Sequence, residues 1–156
     1  MKINWKKLII AVIIPLIVGG VSALLTKDNM IMFDVIRKPP LSPPKWVFPV
    51  VWTILYVLMG IASYLVARER VPSGRKTGAL AFYGLQLAFN FAWTIIFFNL
   101  EQYLFAFIWL CALWLLILIT MLLFFRINKK AGLLMLPYLL WVSFAGYLNY
   151  GIFLLN

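Results

Sequence analysis

Histidine is missing from this sequence and cysteine nearly so: the 156 residues include no His, and Cys111 is the single Cys. Without histidine the chain cannot form a His-ligated zinc or haem site, and it has no imidazole for general-base catalysis or proton relay. One cysteine cannot form an intrachain disulfide, and inside an apolar run it is typical of a small buried hydrophobe. The residues provide no conventional catalytic array, so we expect no metal site and no tightly bound cofactor.

Charge is also scarce, since only 12% of the residues are charged and 65% are hydrophobic, with a mean hydropathy of +1.02. Such a composition excludes a soluble globular domain and indicates that lipid surrounds the chain. Five apolar runs each approach the roughly 20 residues that cross a hydrocarbon core. The sequence therefore predicts an all-α membrane protein, a single domain over residues 1–156 built as a bundle of five transmembrane helices. The predicted spans are about 8–25, 46–67, 78–99, 103–125 and 133–155.

The first run also resembles the apolar core of a signal peptide. It is longer than the usual core of about 7–15 residues, and Leu24 and Leu25 offer no clear cleavage site. We therefore interpret it as the first span.

Acidic residues are the scarcest charged type, with four Asp or Glu against 14 Lys or Arg. The basic residues lie at the junctions between apolar runs rather than on one face, so we expect no nucleic-acid partner. Ten of them belong to the N-terminus and the second and fourth loops, which lie on one side of the membrane. We expect a bacterial cytoplasmic membrane, in which the positive-inside rule predicts a cytoplasmic N-terminus. An organellar membrane, where the sidedness can differ, is the alternative.

Proline is concentrated in the first loop, Thr26–Lys45. Four prolines, Pro39, Pro40, Pro43 and Pro44, fall within six residues and cannot continue a helix. We expect this loop to be stiff and extended, and to cover one end of the bundle as a lid.

Aromatic and amide side chains recur at helical spacing in three of the spans. Each set shares one helix face because its members are three or four residues apart. The sets are Trp52, Tyr56, Met59 and Ser63; Gln86, Asn90, Trp93 and Phe97; and Tyr138, Trp141, Ala145 and Asn149. One interpretation is ordinary helix–helix packing, and the other is a cavity for a flat, largely apolar ligand.

The third span carries a second pattern, in which Gly84, Ala88 and Ala92 repeat every four residues. Small residues at this spacing let helices approach closely. Their face is nearly opposite the face of Gln86 and Asn90, so it points outward if the polar face points inward. We expect a homodimer through this face, with packing inside the bundle as the alternative.

Several short motifs occur in an order and spacing that are specific when taken together. They are Lys38-Pro39-Pro40, Pro43-Pro44-Lys45-Trp46, Trp52-Thr53-Ile54-Leu55-Tyr56, Met59-Gly60, Gln86-Leu87, Asn90 through Trp93, Pro137-Tyr138-Leu139-Leu140-Trp141 and Leu148-Asn149. With these motifs nearly the whole chain resembles the translocator protein family, also called tryptophan-rich sensory proteins or peripheral benzodiazepine receptors.

The resemblance implies a five-helix bundle, commonly dimeric, with a ligand cavity under the first loop. Family members bind porphyrins such as protoporphyrin IX, benzodiazepine-type ligands and, in some cases, sterols. Trp52 and Trp141 match pocket tryptophans that are linked in some members to light-dependent porphyrin breakdown, and Asn90 and Ala145 match further pocket positions. Phe33 stands where many members have Tyr.

The expected ligand-binding residues are therefore aromatic, amide and loop positions that face one cavity. They are Phe33, Pro43, Pro44, Trp52, Tyr56, Gln86, Asn90, Trp93, Tyr138, Trp141, Ala145 and Asn149.

Three functions remain open from the sequence. The first is a membrane receptor or sensor in which a porphyrin packs against Trp52 and Trp141, both expected to face one cavity. Its propionates would reach Arg37, Lys38 or Lys45, which are otherwise ordinary solvated loop cations. The second is light-dependent porphyrin breakdown driven by the ligand's own photochemistry, and the third is transport of the ligand. Besides such a flat hydrophobic ligand, the expected partners are membrane lipid and a second copy of the chain.

Overall fold

The computed structural model describes residues 2–156, which form six helices and no strand. The bounds are α1 Trp5–Thr26, α2 Met32–Val35, α3 Val47–Arg68, α4 Ser73–Phe98, α5 Tyr103–Ile127 and α6 Lys129–Leu155. All except the single turn α2 are long and apolar enough to cross a membrane. The predicted all-α bundle of five membrane helices is confirmed.

The helices extend beyond the predicted spans on the basic side of the bundle. The predicted fourth loop, residues 126–132, shrinks to Asn128, whose extended backbone separates α5 from α6. The Asn128 side chain caps α6 by accepting a hydrogen bond from the backbone N–H of Ala131 at 3.1 Å. The predicted bounds were too short because hydropathy marks only the part of a helix inside the hydrocarbon, whereas Lys and Arg are good helix formers that continue it.

The five long helices form a closed ring in the spatial order α1, α3, α6, α5, α4. The contact between α1 and α3 is close at Gly60, where a Cβ atom would lie 2.6 Å from the Cα of Val12. Only glycine allows the two backbones to approach to this distance. The ring leaves α1 largely exposed to lipid, since few of its residues are buried.

The two faces of α4 point in the expected directions. Gln86 and Asn90 are buried, at 0% and 1% exposure, whereas Gly84 and Ala88 are exposed and Ala92 is half-buried. The polar face of α4 is therefore turned into the bundle. The homodimer through the small face stays a prediction.

The first loop occupies residues 27–46 and is held against α6. Pro39 packs so closely on Gly151 that a Cβ there would lie 2.5 Å from its ring, and the Tyr147 hydroxyl donates to the Pro40 carbonyl at 2.6 Å. The side chain of Asn156 binds both the N–H and the C=O of Arg37, at 3.1 and 2.8 Å. The loop is not extended throughout, because α2 precedes the prolines and nothing in its sequence prevents one helical turn.

Candidate functional site

A cavity of about 840 Å³ lies between α1, α3, α4 and α6, at the end of the bundle that carries the first loop. Its lining is mainly apolar. The lining residues are Leu16, Gly19, Gly20, Ser22, Ala23, Thr26, Met30, Phe33, Lys45, Trp46, Phe48, Pro49, Trp52, Thr53, Tyr56, Trp93, Thr94, Phe97, Phe98, Ala145, Leu148, Asn149 and Ile152.

Two unlike walls shape this cavity. On α1 the lining includes Gly19, Gly20 and Ala23, which occupy little volume, whereas α3 contributes the rings of Trp52 and Tyr56. A Cβ at Gly19 would overlap the Tyr56 ring, and one at Gly20 would meet nothing within 4 Å. Gly19 therefore lets α1 pack directly on the Tyr56 ring, whereas Gly20 leaves open space beside the aromatic wall, an arrangement that suits a flat ligand.

The α3 wall is ordered by ring contacts. Trp52 stacks on Tyr56 with ring centroids 5.6 Å apart and meets Tyr138 edge-on at 6.1 Å. The Tyr56 hydroxyl donates a hydrogen bond to Asn90 Oδ1 at 3.0 Å. Tyr56 therefore presents its ring to the cavity while its hydroxyl points into the bundle.

Beneath Tyr56 the hydrogen bonds continue through a buried polar network, which we define as Tyr56, Asn90, Tyr138 and Gln86. Asn90 Nδ2 donates to the Tyr138 hydroxyl at 2.8 Å, and that hydroxyl donates to Gln86 Oε1 at 2.7 Å. The network joins α3, α4 and α6, and its members are at most 7% exposed. Paired polar groups in a low-dielectric interior fix helix positions, so the network makes the cavity floor rigid.

A second pair of bonds orders the wall formed by α4 and α6. Trp93 Nε1 donates to Asn149 Oδ1 at 3.1 Å, and Asn149 Nδ2 donates to the Tyr103 carbonyl at 2.8 Å. These bonds attach the start of α5 to the wall, although α5 itself contributes no lining residue.

Charge is found only at the loop end of the cavity, where Lys45 is the single charged lining residue. Its ammonium lies 3.0 Å from Asp34 Oδ2 on α2. Nearby, the Lys38 ammonium lies 4.7 Å from the centre of the Phe33 ring, which contacts Phe48 at 5.5 Å. Within residues 2–156 no three His, Cys, Asp or Glu side chains cluster to hold a metal ion.

The structure brings together six of the twelve sequence-predicted residues at the cavity wall: Phe33, Trp52, Tyr56, Trp93, Ala145 and Asn149. Gln86, Asn90 and Tyr138 do not line it but support its floor through the buried network.

Pro43, Pro44 and Trp141 are not part of this lining. The Trp141 ring packs against Phe48 at 6.0 Å and Phe144 at 5.5 Å, and its buried N–H has no hydrogen-bond partner within residues 2–156. Trp52 and Trp141 thus do not share the wall of this cavity, and the Phe48 ring, which lines it, packs against the Trp141 indole.

Sequence reasoning missed the contribution of α1, which was treated only as a span. Gly19-Gly20 inside an apolar run was a usable signal, since adjacent glycines in a membrane helix indicate a close approach or an open space. It also did not select Lys45 among the loop cations, and nothing in the sequence alone distinguishes it from Lys38 or Arg37.

Comparison with known proteins places these features in context. A family model described as TspO/MBR family matches residues 11–155. The chain is 42% identical over 134 residues to the tryptophan-rich sensory protein of Cereibacter sphaeroides, covering 86% of this chain and 81% of that protein. It is 40% identical over 124 residues to the tryptophan-rich protein TspO of Chlorobaculum tepidum, covering 80% and 78% of the two chains. It is also 30% identical over 148 residues to the translocator protein of Bos taurus, covering 94% and 88%.

Proposed function

The chain belongs to the TspO/MBR family, and from that premise we propose that it is a membrane receptor that binds porphyrins and benzodiazepine-type hydrophobic ligands in the cavity. The cavity volume of about 840 Å³ lies within the range of roughly 300–1,000 Å³ that is usual for small-molecule sites. Aromatic rings on α3 and α4 face small residues on α1, which favours a flat apolar ligand. The first loop acts as the lid in this proposal.

The observation that carries the proposal is that the cavity ends inside the bundle. Its lining residues come from the loop end of each helix, and the buried network of Tyr56, Asn90, Tyr138 and Gln86 lies beneath them. A ligand can enter this space but cannot pass through the interior unless packed helices separate. The geometry therefore favours binding over transport through the bundle.

Light-dependent porphyrin breakdown is the second candidate, and one observation favours it. The Trp52 indole lines the cavity and stacks on Tyr56, so an easily oxidised ring would touch a bound porphyrin. The reactive species would come from the excited ligand, because the wall has no acid, base or nucleophile array. Trp141 would act only through Phe48 or after a rearrangement.

A porphyrin titration of purified protein tests the proposal. Trp52→Phe keeps a ring but removes indole surface, so affinity should fall by about 1 kcal/mol, as expected for lost aromatic contact. Trp114→Phe is the matched control, since Trp114 is bonded to Ser143 and lies outside the cavity. Loss of porphyrin under light, followed by absorbance in the same samples, separates breakdown from binding. Identical affinities in both variants and the wild type would reject the assigned cavity.

We further propose that the N-terminus is cytoplasmic, which places the first loop and the cavity on the outer side. Ten of the 14 basic residues lie at the N-terminal side of the bundle, and Lys or Arg excess marks the cytoplasmic face. A bacterial cytoplasmic membrane fits this arrangement.

The homodimer is also a proposal, and it rests on the exposed small face of α4. Gly84 has no atom within 4 Å of its Cβ position, and Ala88 is exposed, so a second copy could approach closely there.

A further inference from the structure

We infer that Lys45 is the carboxylate-recognition residue of the cavity and that Asp34 occupies it when no ligand is bound. The preferred ligand is then an anionic amphiphile, with its apolar body in the cavity and its carboxylate at the loop end. This inference rests on the proposed function, because it assigns the charged end of the same ligand.

The wall offers little to a carboxylate anywhere else. The lining hydroxyls each donate to a backbone carbonyl of their own helix; they belong to Ser22, Thr26, Thr53 and Thr94. The Tyr56 hydroxyl donates to Asn90, and the Asn149 amide donates to Tyr103. The Trp46 and Trp52 indoles are neutral donors and cannot balance a charge. An ionised group deep in the cavity would lose its hydration without compensation, so it must remain near Lys45.

Lys45 is suited to this exchange because its present partner is easily replaced. The side chains of Lys45 and Asp34 are 50% and 57% exposed, so the ion pair is weak and Asp34 returns to water when displaced. Exchanging one carboxylate for another also leaves the charge of the site unchanged. Since Asp34 belongs to α2 and Lys45 lies two residues before α3, the exchange breaks the ion pair that joins these two segments at the cavity entrance.

The other loop cations are placed differently. The Lys38 ammonium lies over the Phe33 ring, and the backbone of Arg37 is bound by Asn156. Neither residue lines the cavity. The structure thus selects one of three cations that the sequence leaves equivalent.

The test uses protoporphyrin IX and its dimethyl ester, which share a ring and differ in charge. Each is titrated into the purified full-length protein in a neutral detergent, with empty micelles subtracted. In the wild type the free acid should bind more tightly, on the order of fivefold, as expected for a partly exposed charge pair. Lys45→Gln should remove this preference by weakening only the acid, whereas Asp34→Asn should increase it, because Lys45 loses its competitor.

Lys38→Gln is the matched control, since it removes the same charge from the same loop and should leave the preference intact. The quantity compared between variants is the ratio of acid affinity to ester affinity, so any difference in micelle partitioning between the two ligands cancels. The inference is overturned if Lys45→Gln retains the acid preference, or if Lys38→Gln removes it. In either case the ester still binds the cavity, and the proposed function stands. If neither ligand binds any variant or the wild type, the proposed function itself fails.

Discussion

Removing the Tyr138 hydroxyl should destabilise the bundle more than removing any other tyrosine hydroxyl among the described residues. Tyr138→Phe keeps the buried ring and deletes one oxygen that accepts from Asn90 at 2.8 Å and donates to Gln86 at 2.7 Å. Both partners are fully buried, so neither can turn to water. The buried network would be cut at its centre while the packing is preserved.

The magnitude follows from the two bonds lost. Hydrogen bonds between membrane helices average about 0.6 kcal/mol and reach about 1.7 kcal/mol, and a buried polar group left unpaired costs about 1–3 kcal/mol. We therefore expect Tyr138→Phe to lower the free energy of unfolding by about 1–3 kcal/mol. Tyr83 is the matched control, because it is also buried, at 7% exposure, but its hydroxyl has only a weak interaction with Ser63 in place of two well-formed hydrogen bonds. Tyr83→Phe should be neutral or stabilise by up to about 1 kcal/mol.

The assay is reversible unfolding in mixed micelles by titration with sodium dodecyl sulfate, followed by far-ultraviolet circular dichroism. Tyr138→Phe should also weaken porphyrin binding, since Asn90 would hold the Tyr56 ring less firmly. Equal unfolding free energies for the two Phe variants would refute the view that the network stabilises the cavity floor.

Three further outcomes are expected. Gly19→Ala should lower both stability and porphyrin affinity, because its methyl group would overlap the Tyr56 ring. Gly20→Ala should instead raise stability in thermal unfolding by up to about 1 kcal/mol, because alanine has the higher helix propensity. Similar behaviour of the two variants would be inconsistent with the cavity geometry. Ala88→Leu should give monomers in cross-linking, and unchanged dimers would remove α4 from the interface. In a variant that lacks the native cysteine, a cysteine introduced at Ser42 should react with an impermeant reagent in intact cells, whereas one introduced at Ser73 should not. The reverse result would invert the proposed topology.

The sequence predicted the fold because the membrane restricts the possible structures so strongly. Backbone groups in lipid must be paired internally, so five long apolar runs imply five helices. Helix ends were less predictable, since charged residues beyond the hydrocarbon continue α4 and α6 by three or more residues. The short helix α2, which precedes the prolines of the first loop, was also missed, because a helix of four residues leaves no periodic pattern.

The site was predicted in part, and the reason differs between residues. Spacing placed Trp52 and Tyr56 on one face, and their rings do line one cavity. Spacing did not distinguish a lining residue from a supporting one, because Asn90 shares a helix face with Trp93 but lies in the buried network beneath the cavity floor. Trp141 packs against Phe48, a ring from another helix. Residue spacing within one helix carries no information about such a neighbour.

The most direct test of the central claim is to fill the cavity and measure porphyrin binding. Gly20 and Gly78 both lie in helices with nothing within 4 Å of a Cβ atom, but only Gly20 lines the cavity. We predict that Gly20→Phe lowers protoporphyrin IX affinity by at least about tenfold, near 1.4 kcal/mol, whereas Gly78→Phe binds as the wild type does. Circular dichroism should show the same helix content in all three proteins. Wild-type affinity in a folded Gly20→Phe variant would show that the ligand binds elsewhere and would contradict the account.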